Sequence, residues 1–190
     1  EGGTWSFVPY LVTTLVGVVL ALGRRAPAAS APARLRELFH RPAAAANAAE
    51  ASQTEDLIWD LWMAHPDADA QEALAQATRA IAGRTLDEAE AILDALVELH
   101  PDYAEAWNKR ATLYFLQRRD AESIADIRRV LELEPRHFGA ICGFGQICLR
   151  HGDHAAALFA FDAALRLNPH LGSIRAAVQE LSDERGGPVQ

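Results

Sequence analysis

The chain repeats itself. Moved along by 34 positions, residues 104–137 fall on residues 138–171, and the match is one of size and chemistry. Trp107 falls on Ile141, Ala111 on Gly145, Tyr114 on Cys148, Ser123 on Ala157, Ile127 on Phe161 and Val130 on Ala164. Leu131, Leu133 and Pro135 fall on Leu165, Leu167 and Pro169. A looser copy, 70–103, comes first: Ala73 replaces the aromatic, but Ala77, Ala80, Ala89, Leu93, Leu96, Val97, Leu99 and Pro101 keep their places. A period of 34 with apolar residues at helical spacing describes one helical hairpin per unit. Such a hairpin cannot bury its apolar faces alone, so the units must stack. Abundant alanine and scarce β-branched alternation agree with an all-α chain.

Within a unit, small residues let two backbones approach, and large ones fill the seam to the next unit. Ala111 and Gly145 take the first role on first helices, Ala89 and Ala157 on second helices. Trp107, Tyr114, Ile127, Phe144 and Phe161 take the second role. Pro135 and Pro169 end second helices. Thr85 with Glu88 reads as a capping box, and Asp69 with Glu72 and Asp102 with Glu105 read as similar helix starts. Gly152–Asp153 is a tight turn. Arg118–Arg119–Asp120 stands in its place one unit earlier, which predicts a longer or less strained turn there. A last helix is expected over 173–185, with Ser173 as N-cap, a stripe of Ile174, Val178 and Leu181, and a polar back formed by Arg175, Gln179, Glu180 and Asp183.

The segments AEAWNKRATLYFLQRRDAESIADIRRVLELEP and FGAICGFGQICLRHGDHAAALFAFDAALRLNP resemble the tetratricopeptide repeat (TPR) family. The resemblance implies a right-handed α-solenoid of three units, 70–103, 104–137 and 138–171. Two leading helices lie within 34–69, and a capping helix and tail occupy 172–190. It also implies a non-catalytic scaffold, without cofactor, that binds a protein or peptide. In this family the first helices line a concave groove where partners lie as extended peptides or helices. The implied lining is Leu74, Thr78 and Ile81 in the first unit. In the second it is Asn108, Lys109, Thr112, Phe115 and Leu116, and in the third Cys142, Gln146, Leu149 and Arg150. Some TPR co-chaperones hold a C-terminal carboxylate with a set of Lys, Asn and Arg residues. That set is incomplete here, since Leu74 and Thr78 stand where the first lysine and asparagine would be.

Residues 1–23 contain a run without charge, 5–22 (WSFVPYLVTTLVGVVLAL). As a helix it is about 27 Å long, near the lower limit for crossing a bilayer. Trp5 and Tyr10 suit an interface, and Arg24 and Arg25 follow directly. The expectation is a membrane anchor. A cleaved export signal with its processing region around APAAS is the rival reading, which would make the repeats periplasmic or secreted. Residues 24–33 read as an Ala/Pro linker. Beyond it, 34–41 is a short amphipathic piece with Leu35, Leu38 and Phe39 as its stripe. Leu57, Ile58, Leu61 and Trp62 form the stripe of a second helix, for which Ser52 and Glu55 offer a capping box. Trp59 and Trp62 are expected to pack on the first unit and cover its open end.

Charge narrows the partners. The formal net charge is −8, but residues 1–41 carry five arginines against Glu1 and Glu37, so the remainder holds −11. An acidic body lacks the basic face that nucleic acid requires. No Gly-rich phosphate loop and no His-Glu-x-x-His motif occurs. His151 and His154 flank a turn with Asp153 between them, which defines an alternative: a metal-binding or metal-dependent activity at that turn. A self-associating structural array is the third reading. Cys142 and Cys148 lie six residues apart on one predicted helix, about 9 Å of rise, too far to bridge. His65, His100, His137 and His170 all fall beside inter-unit prolines. They read either as solvated loop residues or as a pH-sensitive stripe.

Overall fold

The computed structural model describes residues 33–40 and 48–186. The apolar run 5–22, the linker up to residue 32 and the last four residues lie outside them. Among the described residues the regular structure is helical, and it forms a right-handed α-solenoid. In chain order the helices are α1 (Ala33–His40), α2 (Ala48–Met63), α3 (Ala68–Ala82), α4 (Leu86–Leu99), α5 (Ala104–Leu116), α6 (Asp120–Leu133), α7 (Phe138–Arg150), α8 (His154–Leu167) and α9 (Gly172–Gly186). α3/α4, α5/α6 and α7/α8 are the three hairpins, and α9 packs on α8 as the closing helix.

The interior follows the size pattern. Ala89 and Ala157 are fully buried and Ala111 nearly so, at the crossings inside each hairpin. A Cβ on Gly145 would lie 2.4 Å from the Phe161 ring, so only glycine admits that phenylalanine. Phe144 and Phe161 are fully buried. The core divides in two. The first unit and one face of α5 share one cluster around Leu74, Leu93, Leu96 and Leu113. The second and third units share another, and Leu35, Leu38, Ile58 and Trp62 from α1 and α2 belong to it.

The three turns inside the hairpins are the same turn. Arg84, Arg118 and Gly152, spaced by the repeat, take φ of 62°, 64° and 73°. In each, the next residue's N–H bonds the carbonyl five back: Thr85 to Ala80, Arg119 to Tyr114 and Asp153 to Cys148. The expected relaxation at Arg118 is therefore absent. The left-handed backbone costs a non-glycine residue about 1–2 kcal/mol, and the carbonyls it satisfies at the helix end offset that cost.

Helix starts depart from the expected boxes. α3 is capped by Asp67, whose side chain accepts from Asp69 and Ala70 N–H. Thr85 makes no side-chain cap and instead donates to the Ala80 carbonyl at 3.3 Å. Ser52 lies inside α2. α5 starts after Tyr103 without a side-chain cap, because Glu105 is used elsewhere.

Candidate interaction site

α2 runs along the edge of the array where one unit passes to the next. Near its middle, Glu55 accepts from Asn168 Nδ2 at 2.9 Å, at the end of the third unit. Further on, Trp59 lies 5.5 Å from the Phe138 ring and 5.9 Å from Lys109 Nζ. At its end, the Met63 carbonyl accepts the Tyr103 hydroxyl at 2.5 Å. The two tryptophans therefore sit at the junction of the second and third units, not over the open end of the first. Residue size explains the correction. Gly139 stands where the repeat places Glu105 and Gln71 in the earlier units. A Cβ on Gly139 would come within 2.6 Å of Trp59 Cη2, so the indole seats only over a glycine.

Beneath α2 lies a buried polar cluster that the repeat pattern does not announce. Glu105 and His137 are both fully buried. His137 Nδ1 accepts the Ala140 N–H at 3.1 Å and so caps α7. That role keeps the proton on Nε2, which donates to Glu105 Oε2 at 2.9 Å. Asn108 Nδ2 donates to both Glu105 oxygens, at 3.2 and 3.1 Å, and Lys109 Nζ lies 3.1 Å away. Burial alone raises the Glu105 carboxyl, but His137 and Lys109 together hold it below its usual range. The Trp62 ring stacks on His137 at 4.0 Å and 13°. Sequence reasoning took Glu105 for a helix start and His137 for a loop residue. The spacing of Glu105 and Lys109 was readable; their meeting with His137 depends on stacking.

The implied groove residues do not all meet. Leu74 is fully buried in the first unit's core, and Asn108, its repeat equivalent, is committed to Glu105. Leu74 therefore leaves the open lining, while Asn108 keeps an edge on it. Lys109 is held by Glu105. Thr78 and Thr112 donate their hydroxyls to the carbonyls of Leu74 and Asn108, one turn back. Cys142 and Leu149 are half-buried against the core, Ile81 is half-buried in the first unit, and Leu116 is exposed. Arg150 places its guanidinium carbon 3.6 Å from the centre of the Phe115 ring and is tied to Asp120 at 2.5 Å. Asn108, Thr112, Phe115 and Gln146 do converge. They line a cleft of about 120 Å3 between α5 and α7, together with Ala111, Ser123 and Ile127 beneath and Gly139, Ala140 and Gly143 across from them.

Other candidates find structural uses. His151 Nε2 is 2.8 Å from Asp120, and Asp153 caps α8 through the Ala156 N–H. Among the described residues no three His, Cys, Asp or Glu side chains are grouped to hold a metal. His65 packs against His100 and Tyr103, at 4.8 and 4.5 Å. Burial pushes the thiols of Cys142 and Cys148 up to about 12, against attack on an electrophile at neutral pH. Arg110, unremarked in the sequence, joins Asp94 and Asp126 across the first seam and lies 4.9 Å from the Trp107 ring.

A stacked array of helical hairpins defines a repeat scaffold. The tetratricopeptide repeat family model matches residues 74–137 and 121–171, and the chain belongs to that family. A TPR repeat-containing protein of Rhizobium etli is 39% identical over 95 residues, which is 50% of this chain and 47% of the relative. The chain thus matches about half the length of that relative. The first TPR domain of Spaghetti (RPAP3) bound to the HSP90 peptide SRMEEVD superposes with a TM-score of 0.58 at 17% identity, over 65% of this chain and 98% of that one. The TPR2B domain of yeast Sti1 in complex with pHsp70 gives 0.56 at 18%, over 62% and 99%. At these identities the likeness is one of fold.

Proposed function

We propose that the protein is a non-catalytic scaffold that binds a peptide or helix of a partner protein on its concave face, and that the apolar run 5–22 holds it at a membrane. The observation that carries the first part is the cleft between α5 and α7, lined by Asn108, Thr112, Phe115 and Gln146 on the first helices. Its backbone is held by packed cores on both sides, so the surface is formed before a partner arrives. The two fold relatives with peptide partners support a polypeptide ligand. The tether draws on the length of the uncharged run and on Arg24 and Arg25 beside it.

A photo-crosslinking residue placed at Thr112 in the native host is expected to capture a polypeptide, while the same residue at Ala125, exposed on α6, captures none. Phe115→Ala is expected to cut the yield at least fivefold with the melting curve kept within a few degrees. Equal capture from both faces, or an unchanged yield with Phe115→Ala, sinks the groove assignment. Retention of the chain in carbonate-washed membranes checks the tether, and release into the wash removes it.

A further inference from the structure

Resting on that groove reading, we propose that the cleft between α5 and α7 is a socket for one aliphatic side chain of an uncharged, extended partner segment. Its shape gives the first reason. Ala111 and Ile127 form the floor, Phe115 forms a wall, and Gly139 and Gly143 bring no side chain to the opposite side. The space of about 120 Å3 is a little under the about 150 Å3 that admits benzene in an engineered apolar cavity. A branched aliphatic group of three or four carbons fits. An indole does not.

Two glycines set this junction apart. The repeat places Gly139 and Gly143 where the second unit has Glu105 and Lys109, and the first has Gln71 and Ala75. At the second-unit positions Glu105 and Lys109 pair at 3.1 Å, side chains that the glycines of the third unit lack. A socket at this junction fixes the register of whatever lies in the groove.

Charge supplies the remaining reason. Two nearby cations are already neutralised: Lys109, next in sequence to Asn108, by Glu105 at 3.1 Å, and Arg150, over the Phe115 ring, by Asp120 at 2.5 Å. An acidic segment meets no spare cation and is repelled by a chain of net charge −8. A basic segment finds both nearby carboxylates in use. What remains at the rim is the exposed Gln146 amide, suited to a partner's main chain.

The test uses the full chain labelled with 15N and four small probes: the N-acetyl amides of leucine, glutamate, lysine and tryptophan. The leucine probe is expected to shift the amide resonances of Gly139, Gly143 and Gln146 saturably, with at least tenfold tighter binding than the other three. Gly143→Val should abolish that response. The first added carbon meets only Ile127, at 3.7 Å, so folding tolerates it while the methyls occupy the socket. Should the valine variant melt early, Gly143→Ala should still weaken the leucine probe at least threefold. A charged or indole probe matching leucine, or no localised shift with any probe, overturns the socket. Capture through Thr112 without a leucine response leaves the groove standing and removes the socket alone.

Discussion

Replacing His137 with alanine is expected to lower the free energy of unfolding by about 3–5 kcal/mol. The imidazole does three jobs. Its Nε2–H satisfies a carboxylate that has no access to water, Glu105 at 2.9 Å. Losing a donor to a buried charge costs about 1.5–3 kcal/mol. Its Nδ1 caps α7 through Ala140 N–H, worth about 1 kcal/mol. Its ring face carries Trp62. His137→Asn restores a capping oxygen without the reach to Glu105, so it should recover about 1 kcal/mol of the loss. Urea denaturation at neutral pH measures both. A loss below about 1 kcal/mol for the alanine variant would mean that Glu105 finds another donor. The same carboxylate sets an acid limit. Its folded value lies below the usual 4.5, so its contribution is present above that pH. It is lost as the pH falls through the folded value.

The periodicity made the hairpins, their order and most of the buried small residues legible, because each is a local consequence of size at a repeating position. What escaped were contacts made between positions that the repeat does not equate. Glu105 and His137 lie 32 residues apart, and only the stacking of α5 beside the start of α7 brings them together. The placement of α2 escaped for a related reason. An unpaired leading helix is expected to cover the unit next to it in sequence. Here it passes the first unit and seats where Gly139 leaves room. That signal was present in the aligned repeats, as a glycine opposite a glutamate and a glutamine, but it read only as tolerance. At Arg118 the error ran the other way. A positive φ suggests glycine, yet the helix-end hydrogen bonds are enough to hold arginine in the same turn. Of the groove residues, Leu74 was misplaced because its helix position turns into the first unit's core, where apolar residues surround it.

Trp62→Ala is expected to cost about 3–5 kcal/mol, whereas Trp62→Phe should stay within about 1 kcal/mol of the parent chain. The indole is 7% exposed and touches Trp59, Phe138 and Phe39 besides His137, with ring centres 5.2, 5.0 and 6.1 Å away. Truncation to alanine removes most of that contact and leaves a hole among rings that cannot close over it. Phenylalanine keeps a stacking face on His137. It gives up about 1–2 kcal/mol of apolar burial but also removes the Trp62 Nε1–H, which is buried without a hydrogen-bond partner among the described residues. An unpaired buried donor costs about 1–3 kcal/mol, so the two changes nearly cancel. Guanidinium melts of the two variants test this, and equal losses would show that the N–H is satisfied in solution. The alanine variant reaches further than stability. With Trp62 gone, the edge of the array holds α2 less tightly, and Trp59 lifts from Gly139. Protease cleavage at the α2–α3 junction should then quicken.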